Sequence, residues 1–551
     1  MPEGQFTTQS PAESGGSSRR SAPPGRAGRA RPRQGDPALA AKLRRSIQGE
    51  VLFDAAARGR YATDASVYQI EPVGVACPKS SDDVAAALAI AREEGVPVLA
   101  RGGGTSQCGQ TVGECLVLDM SRHMKGIVSV DPGARRARVQ PGLVLDELNA
   151  ALKQHGLWFP VDVSTSNRAT LGGMAGNNSC GSRSIRYGTM ADNVHAIDAL
   201  LVDGGRISFG PVRTDLSDLA NDGRSAEMAR QVATLVAREQ DEIRSRFPRL
   251  QRRVGGYNLD RVPPVAADGR GNMAQFLVGS EGTLALFTEL DLPLQPIPAS
   301  KTLGVCHFPT FYKAMDVTQH IVKLGPTAVE LVDRTLIALA RDIPAFAGSL
   351  DKFVRGVPDA ILLVEFAEPD QHENLRRLRS LVELLADLGH PGSVVEATDP
   401  AFQREIWEIR KAGLNIMMSM KGEGKPVSFI EDCAVRLEDL AEYTRQLDEV
   451  FARHGTTGTW YAHASVGCLH VRPILNMKSS DGARTMRAIA EETFEIVRGY
   501  KGSHSGEHGD GIVRSEFHGP MFGQRMVAAF ETAKAIFDPK ELLNPGKIVR
   551  P

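Results

Sequence analysis

The chain has 551 residues, too many for one hydrophobic core, so a few domains are expected. Lys and Arg total 65 against 66 Asp and Glu, which excludes the broad basic field of a nucleic-acid binder. No apolar run approaches the about 20 residues that span a bilayer.

Residues 1–37 are rich in Ser, Gly, Pro and Arg. There Arg19, Arg20, Arg26, Arg29, Arg31 and Arg33 repel one another with nothing nearby to bury, which predicts a disordered tail. This tail lacks the apolar core of a secretory signal, although an Arg-rich, acid-poor leader also suits an organelle transit peptide. Ser80 and Ser81 cap a helix carrying Val84, Leu88 and Ala91 on one face, ended by Gly95. A strand over 98–101 then runs into Gly102-Gly103-Gly104-Thr105-Ser106. Another strand is expected over 116–119, and Leu145, Leu148 and Leu152 mark a helix stopped by Gly156. Strands are expected over 199–202, entering a turn at Gly204-Gly205, and over 276–278 and 284–287. Prolines between Pro293 and Pro298 mark a linker. Beyond it, strands over 303–308 and 361–366 alternate with helices, one over 375–388 with Leu378, Leu381, Leu385 and Leu388 on one face. Such units suggest a ferredoxin-like antiparallel sheet with helices on one face.

Three separated glycine-rich stretches stand out. The first begins at Arg101-Gly102; the second is Thr170-Leu171-Gly172-Gly173-Met174-Ala175-Gly176-Asn177-Asn178-Ser179-Cys180-Gly181; the third is Gly279-Ser280-Glu281-Gly282-Thr283. Glycines in such turns let backbone N–H groups approach a ligand and cradle phosphate oxygens. Three such loops suggest one long ligand held at several points, such as a dinucleotide. Neither G-x-G-x-x-G nor a P-loop Lys-Ser/Thr follows them.

Two histidines, His463 and His470, lie seven apart, and Glu507 and His508 sit between glycines in Gly506-Glu507-His508-Gly509. On a straight strand an odd offset points two side chains to opposite faces, so a bend is required, and Gly467 is where it can occur. Two imidazoles and one carboxylate suit a divalent transition ion with open positions. The seven cysteines, Cys77, Cys108, Cys115, Cys180, Cys306, Cys433 and Cys468, include no C-x-x-C. That argues against a zinc ribbon or an iron–sulfur cluster, and for reduced thiols in a cytoplasmic enzyme.

Taken in order, the three glycine stretches resemble the flavin domain of the vanillyl-alcohol oxidase superfamily. Within it the chain is most similar to the FAD-dependent D-2-hydroxy-acid dehydrogenases that oxidise D-lactate, glycolate or D-2-hydroxyglutarate. The resemblance implies an α+β architecture: a two-subdomain FAD-binding domain over 38–295, a ferredoxin-like cap over 296–501, and a return to the flavin domain over 502–551. It implies cofactor contacts from Arg101, Gly102, Gly103, Gly104, Thr105, Ser106, Thr170, Gly172, Gly173, Asn178, Gly181, Gly279, Glu281, Gly282 and Thr283. Asn544 of the closing Asn-Pro-Gly-Lys motif joins them. FAD is expected to be non-covalent, because the first loop has no histidine. His463, His470 and Glu507 take the places of the metal ligands (zinc, manganese or iron), His508 that of the proton acceptor, and Arg410 of Trp407-x-x-Arg410 that of the carboxylate-binding cation.

The chain departs from better-known members at Val466, Cys468 and over 427–433, which leaves the substrate side chain open. Gly-Cys-Leu-His and Glu-Asp-Cys-Ala are more similar to the flavin half of FAD and iron–sulfur fusion proteins. A separate electron acceptor is therefore expected: a quinone, an electron-transfer flavoprotein or an iron–sulfur protein, with this chain alternatively a flavin-carrying subunit of a complex. The two-histidine-one-carboxylate set also suits a non-haem iron oxygenase, which leaves the glycine loops unexplained. No nucleic-acid partner is expected, a homodimer is compatible, and location is cytoplasmic, with peripheral association at the inner membrane as the variant.

Overall fold

A computed structural model describes residues 33–219, 223–262 and 270–551. Most of the predicted disordered tail therefore lies outside the described residues. Within 33–37, Gly35 donates to the Val73 carbonyl, and Asp36 caps the helix Pro37–Ser46 through the amides of Ala38 and Leu39.

Two sheets form the N-terminal half. The strands Gly74–Cys77, Leu116–Asp119 and Val98–Arg101 pair in parallel, with Glu50–Leu52 antiparallel at the edge. The helices Pro37–Ser46 and Ser81–Glu94 bury Leu39, Leu43, Val84 and Leu88 against this sheet. Ser80 caps the second helix and Gly95, at φ 65°, ends it, as its residue types predict. A second, antiparallel sheet takes the order Ile127–Asp131, Arg136–Val139, Leu286–Pro293, Ala196–Leu200, Arg206–Phe209. Its core includes Leu145, Leu148 and Leu152 of one helix and the apolar faces of Arg224–Arg246 and Gln524–Phe537. The closing segment returns to the first sheet, where Asn544 N donates to the Val98 carbonyl at 2.8 Å.

Residues 302–475 contribute a seven-stranded antiparallel sheet, in the order Val394–Ala397, Thr302–Phe308, Ala360–Phe366, Ala328–Asp333, Gly458–His463, Cys468–Leu475, Lys425–Pro426. The period of 2 along each strand sorts its two faces. Phe308, Leu331, Leu362, Val364, Ala462, Leu469 and Val471 pack against the helices Phe311–Ile321, Gln371–Asp387, Leu440–Arg453 and Ser480–Gly499. Helices were expected on one face only. The opposite face is covered too, because Leu303, Val305, Ile361 and Leu363 pack against Arg334–Arg341, Pro344–Phe353 and Pro400–Lys411. On that second face lie the alternate residues Glu330, Glu365, Tyr461, His463 and His470.

Several element boundaries differ from the sequence reading. The strand expected over 199–202 is Ala196–Leu200, shifted because its partner Leu286–Pro293 continues past Asp198. Residues 276–278 are not a strand: Ala274–Leu277 is a short helix whose first amide is received by Asn272 Oδ1. A three-residue apolar run carries no period, so packing decided it. The proline linker is partly sheet, since Gln295–Pro296 pairs with Leu157–Trp158 at an edge that needs no proline N–H. The helix expected over 375–388 begins earlier, at Gln371, where Asp370 caps it. No helix among the described residues is long and apolar enough to cross a membrane.

Candidate active site

One cavity of ≈ 500 Å³ joins the glycine loops to the second face of the seven-stranded sheet. Of the expected cofactor residues, Arg101, Gly102, Gly103, Gly104, Thr105, Ser106, Thr170, Gly172, Gly173, Gly181, Glu281 and Gly282 line it. A Cβ on Gly176 would meet nothing within 4 Å, and one on Gly282 only Ala100 at 3.8 Å, so these backbones face open space. Such a long, backbone-lined groove fits a dinucleotide.

Four expected contacts are not in the lining, and each has a local task instead. Asn178, at φ 59°, ends the helix Leu171–Asn177 while its Oδ1 accepts from Ala191 N. Gly279 N donates to the Ala175 carbonyl. Thr283 Oγ1 donates to the Ser280 carbonyl at 2.6 Å. Asn544 Nδ2 donates to the carbonyls of Gln110 and Glu281 at 2.9 and 2.7 Å, clamping the first and third loops together. Two lining residues also turn their charged groups elsewhere. Arg101 donates to the carbonyls of Tyr61, Thr63 and Thr111, bracing the flank of its loop. The buried Glu281 carboxylate accepts from Asp510 N, Gly511 N and Gln110 Nε2. Backbone, more than side chains, is what these loops offer a ligand.

At the other end of the cavity the two histidines meet. Gly467 takes φ 66°, and the 3₁₀ turn Ala464–Val466 reverses the chain into a hairpin. Tyr461 pairs with His470 and His463 with Cys468, so His463 and His470 are diagonal neighbours on one face. Their Nε2 atoms lie 3.3 and 3.0 Å from the two Glu507 oxygens. The three ligand atoms fall within 4.8 Å of one another. His463 Nδ1 donates to Glu330, 2.8 Å away, which leaves its Nε2 lone pair facing the centre. This donor set fits a divalent ion.

Glu507 and His508 are held from two sides. Asp432 Oδ2 accepts from three successive amides, Gly506, Glu507 and His508, at 3.0, 2.9 and 2.7 Å. From the side of the glycine loops, Asn177 Nδ2 and Gln110 Nε2 donate to the Glu507 and His508 carbonyls at 2.7 and 2.9 Å. His508 Nδ1 donates to Glu431 at 2.8 Å, and its Nε2 lies 3.1 Å from Glu507. His470 stacks between Tyr461 and His508, at 4.6 and 5.2 Å.

Environment pulls the three imidazoles apart. Burial drives His470 down to about 3, only partly offset by Glu507. Burial acts the same way on His508, but Asp432, Glu431 and Glu507 outweigh it and raise the ring to about 10. His463 is raised because Glu330 and Glu507 outweigh its burial. Glu507 is buried too, yet its histidines and Arg252 hold it well below the carboxylate range.

Arg410 reaches the same cavity. Its Nη2 donates to Glu330 at 2.6 Å, its guanidinium lies 4.9 Å from the Tyr461 ring, and its buried Nε has no hydrogen-bond partner among the described residues. Elsewhere in the lining, Arg183 spans from Asp162 to Glu365, with Trp407 under its guanidinium at 5.3 Å.

Sequence reading missed Arg252, Glu330, Gln110 and the roles of Glu431 and Asp432. Arg252 is fully buried and touches Glu507. An arginine or glutamate far along the chain carries no local mark of such a contact. Glu431 and Asp432 stood in a stretch read as unusual, which was the one available signal.

Comparison with known proteins agrees with this architecture. Residues 72–210 match the family described as FAD binding domain, and 297–548 the FAD linked oxidases, C-terminal domain. D-2-hydroxyglutarate dehydrogenase of Escherichia coli (strain K12) is 33% identical over 519 residues, covering 91% of this chain and 50% of that one. Glycolate oxidase subunit GlcD of Bacillus subtilis (strain 168) is 27% identical, covering 91% of this chain and 95% of its own length. The chain spans about half the length of several curated relatives it matches, including a Pantoea ananatis D-2-hydroxyglutarate dehydrogenase at 50%. Among solved structures, p-cresol methylhydroxylase superposes with TM-score 0.67 at 13% identity, over 93% of this chain and 96% of that one. Alkyldihydroxyacetonephosphate synthase superposes with TM-score 0.65 at 17% identity, over 94% and 86%. With an FAD binding domain over residues 72–210 and the C-terminal domain of FAD linked oxidases over 297–548, the chain belongs to the FAD-linked oxidases.

Proposed function

We propose that the protein oxidises a D-2-hydroxy acid to the 2-oxo acid, with non-covalent FAD as hydride acceptor and a separate molecule as final electron acceptor. The observation that carries this reading is the convergence of His463, His470, Glu507, His508 and Arg410 on the cavity lined by the glycine loops. A divalent ion on His463, His470 and Glu507 would supply Lewis acidity toward the substrate hydroxyl and carboxylate. FAD along the glycine loops would supply the hydride acceptor.

The chain's own groups then have separable tasks. His508 Nε2 receives the hydroxyl proton, while Glu431 on Nδ1 fixes the ring's orientation. The raised His508 affinity for protons stems from Asp432 and Glu431 and then from Glu507, so a cation held on Glu507 would lower it. Arg410 offers the substrate carboxylate its Nε, which has no partner among the described residues, with Nη2 anchored on Glu330. Tyr461 and Trp407, in the cavity wall, exclude water around the reacting carbon. Electrons leave to a quinone, an electron-transfer flavoprotein or an iron–sulfur protein.

Anaerobic mixing with matched D- and L-2-hydroxy acids, followed by flavin absorbance, tests the reading. Bleaching by a D-acid and not by its L-enantiomer is expected. A flavoprotein that no 2-hydroxy acid reduces would overturn it.

A further inference from the structure

A second group of buried donors lies outside the cavity. His504, Asp510 and His518 are each at most 2% exposed, and one ligand atom from each falls within 4.8 Å of the others. His518 Nε2 is 3.0 Å from Asp510 Oδ2, and His504 Nε2 is 3.9 Å from Asp510 Oδ1. Asp510 Oδ2 also accepts from Gly256 N at 2.7 Å.

The protonation pattern leaves these atoms in conflict. His518 Nδ1 lies 2.9 Å from the Ile548 carbonyl, which only accepts, so Nδ1 carries the proton. The neutral ring then turns an Nε2 lone pair toward a carboxylate. His504 Nε2 and Asp510 Oδ1 have no hydrogen-bond partner among the described residues, while His518 Nε2 pairs with Asp510 Oδ2 only if it carries a second ring proton. Aromatic rings enclose them, with Phe494 and Phe522 at 5.9 and 5.7 Å from the His504 ring and Phe530 at 5.7 Å from His518. Unpaired polar atoms in such surroundings are costly, and native interiors rarely retain them. A proton on His518 satisfies that ring and Asp510 Oδ2. It leaves His504 Nε2 and Asp510 Oδ1 without a partner, because 3.9 Å is too long for a hydrogen bond.

We propose that His504, Asp510 and His518 bind a second divalent transition ion, structural in role and distinct from the one at His463, His470 and Glu507. Two imidazole nitrogens and a carboxylate oxygen suit zinc or a neighbouring first-row ion. Tetrahedral ligands about 2.0 Å from zinc stand about 3.3 Å apart, between the two separations observed here. Gly255 keeps the space clear, since a Cβ there would lie 3.1 Å from His504 Cε1 and 3.2 Å from Asp510 Oδ1. Chain position supplies the purpose. Two of the ligands bracket the segment carrying Glu507 and His508, and the ion fixes both ends of it without touching substrate. This inference does not depend on the hydroxy-acid reading.

The test uses the full chain with its flavin, crystallised in zinc, with diffraction recorded at the zinc edge. An anomalous peak about 2.0–2.2 Å from the three donor atoms is expected. Metal analysis after dialysis should give two equivalents for the wild type, and one for His518→Ala and for the His463→Ala/His470→Ala double variant. Absence of a peak among His504, Asp510 and His518 overturns the proposal, as does a His518→Ala protein with unchanged metal content. If His518→Ala does not fold, the wild-type anomalous map alone decides.

Discussion

The guanidinium of Arg252 rests directly on the carboxylate of Glu507, the first wholly buried and the second nearly so. Arg252 also donates to the Gly181 carbonyl, so it ties the second glycine loop to the proposed metal centre. A buried carboxylate stripped of its cation is strongly destabilising, by about 3–5 kcal/mol. Metal-free Arg252→Met should lose stability on that scale. Zinc should restore more of it than it adds to the wild type, because the ion supplies the missing charge. Urea unfolding of both proteins, after chelation and after zinc addition, measures this directly; equal zinc responses would separate Arg252 from the metal centre.

Replacing His508 separates proton transfer from binding. A positioned base contributes roughly 10²–10⁴-fold to a rate, so His508→Asn should slow anaerobic flavin reduction by about that factor. Substrate dissociation constants should change little. Glu507 is adjacent, so metal content is measured alongside. A metal-replete variant reducing flavin at the wild-type rate would remove His508 from the reaction.

Arg410 should behave in the opposite way. A charge-assisted hydrogen bond contributes about 1.5–3 kcal/mol, so Arg410→Ala should raise the substrate dissociation constant about 10- to 100-fold. Arg410→Lys should recover only part, because a lysine cannot hold Glu330 and a carboxylate along one planar edge. Unchanged affinity in rapid-mixing titrations would leave Arg410 a partner of Glu330 alone.

Acid stability reports on the link between the Gly181–Arg183 loop and the cap sheet. Burial raises Glu365, but Arg183 and Lys301 outweigh it and hold the carboxylate at about 2. A depressed carboxylate contributes stability that is full above its unfolded value of about 4.3 and disappears as pH falls through the folded value. Wild type should therefore lose this contribution, at most about 3 kcal/mol, between about pH 4.5 and 2. In Arg183→Met the folded carboxylate rises toward its unfolded value, so the variant should be less stable than wild type above about pH 4.5, and the gap should close as pH falls toward 2. Superimposable acid-unfolding curves would show that the pair contributes nothing.

Gly467 tests the hairpin that brings the histidines together. At φ 66° a left-handed residue with a Cβ costs about 1–2 kcal/mol, and the added methyl would collide with the Val435 carbonyl oxygen. Gly467→Ala should lower the melting temperature and reduce metal retention at His463 and His470 together. Intact metal content with lowered stability would mean that the site tolerates a changed turn.

Much of this molecule was legible in its residues. Ser80, Gly95 and Gly156 marked helix ends because capping and left-handed φ are local matters. The three glycine stretches marked the cavity wall because backbone exposure is written in residue type. Gly467 marked the bend between the histidines for the same reason. What the sequence left undetermined was long-range pairing. That Glu330, 133 residues before His463, fixes the ring's tautomer follows only from the antiparallel register of two strands. That Asp432 gathers the amides of Gly506, Glu507 and His508, and that Arg252 covers Glu507, follows from chain crossings with no local signature. Asn544 and Glu281 show the converse: residue types suited to a ligand were taken up by buried backbone groups that needed partners. Local chemistry thus decides which residues are able to act, and tertiary packing decides which charges remain free to do so, because burial makes every unpaired polar group seek its nearest partner.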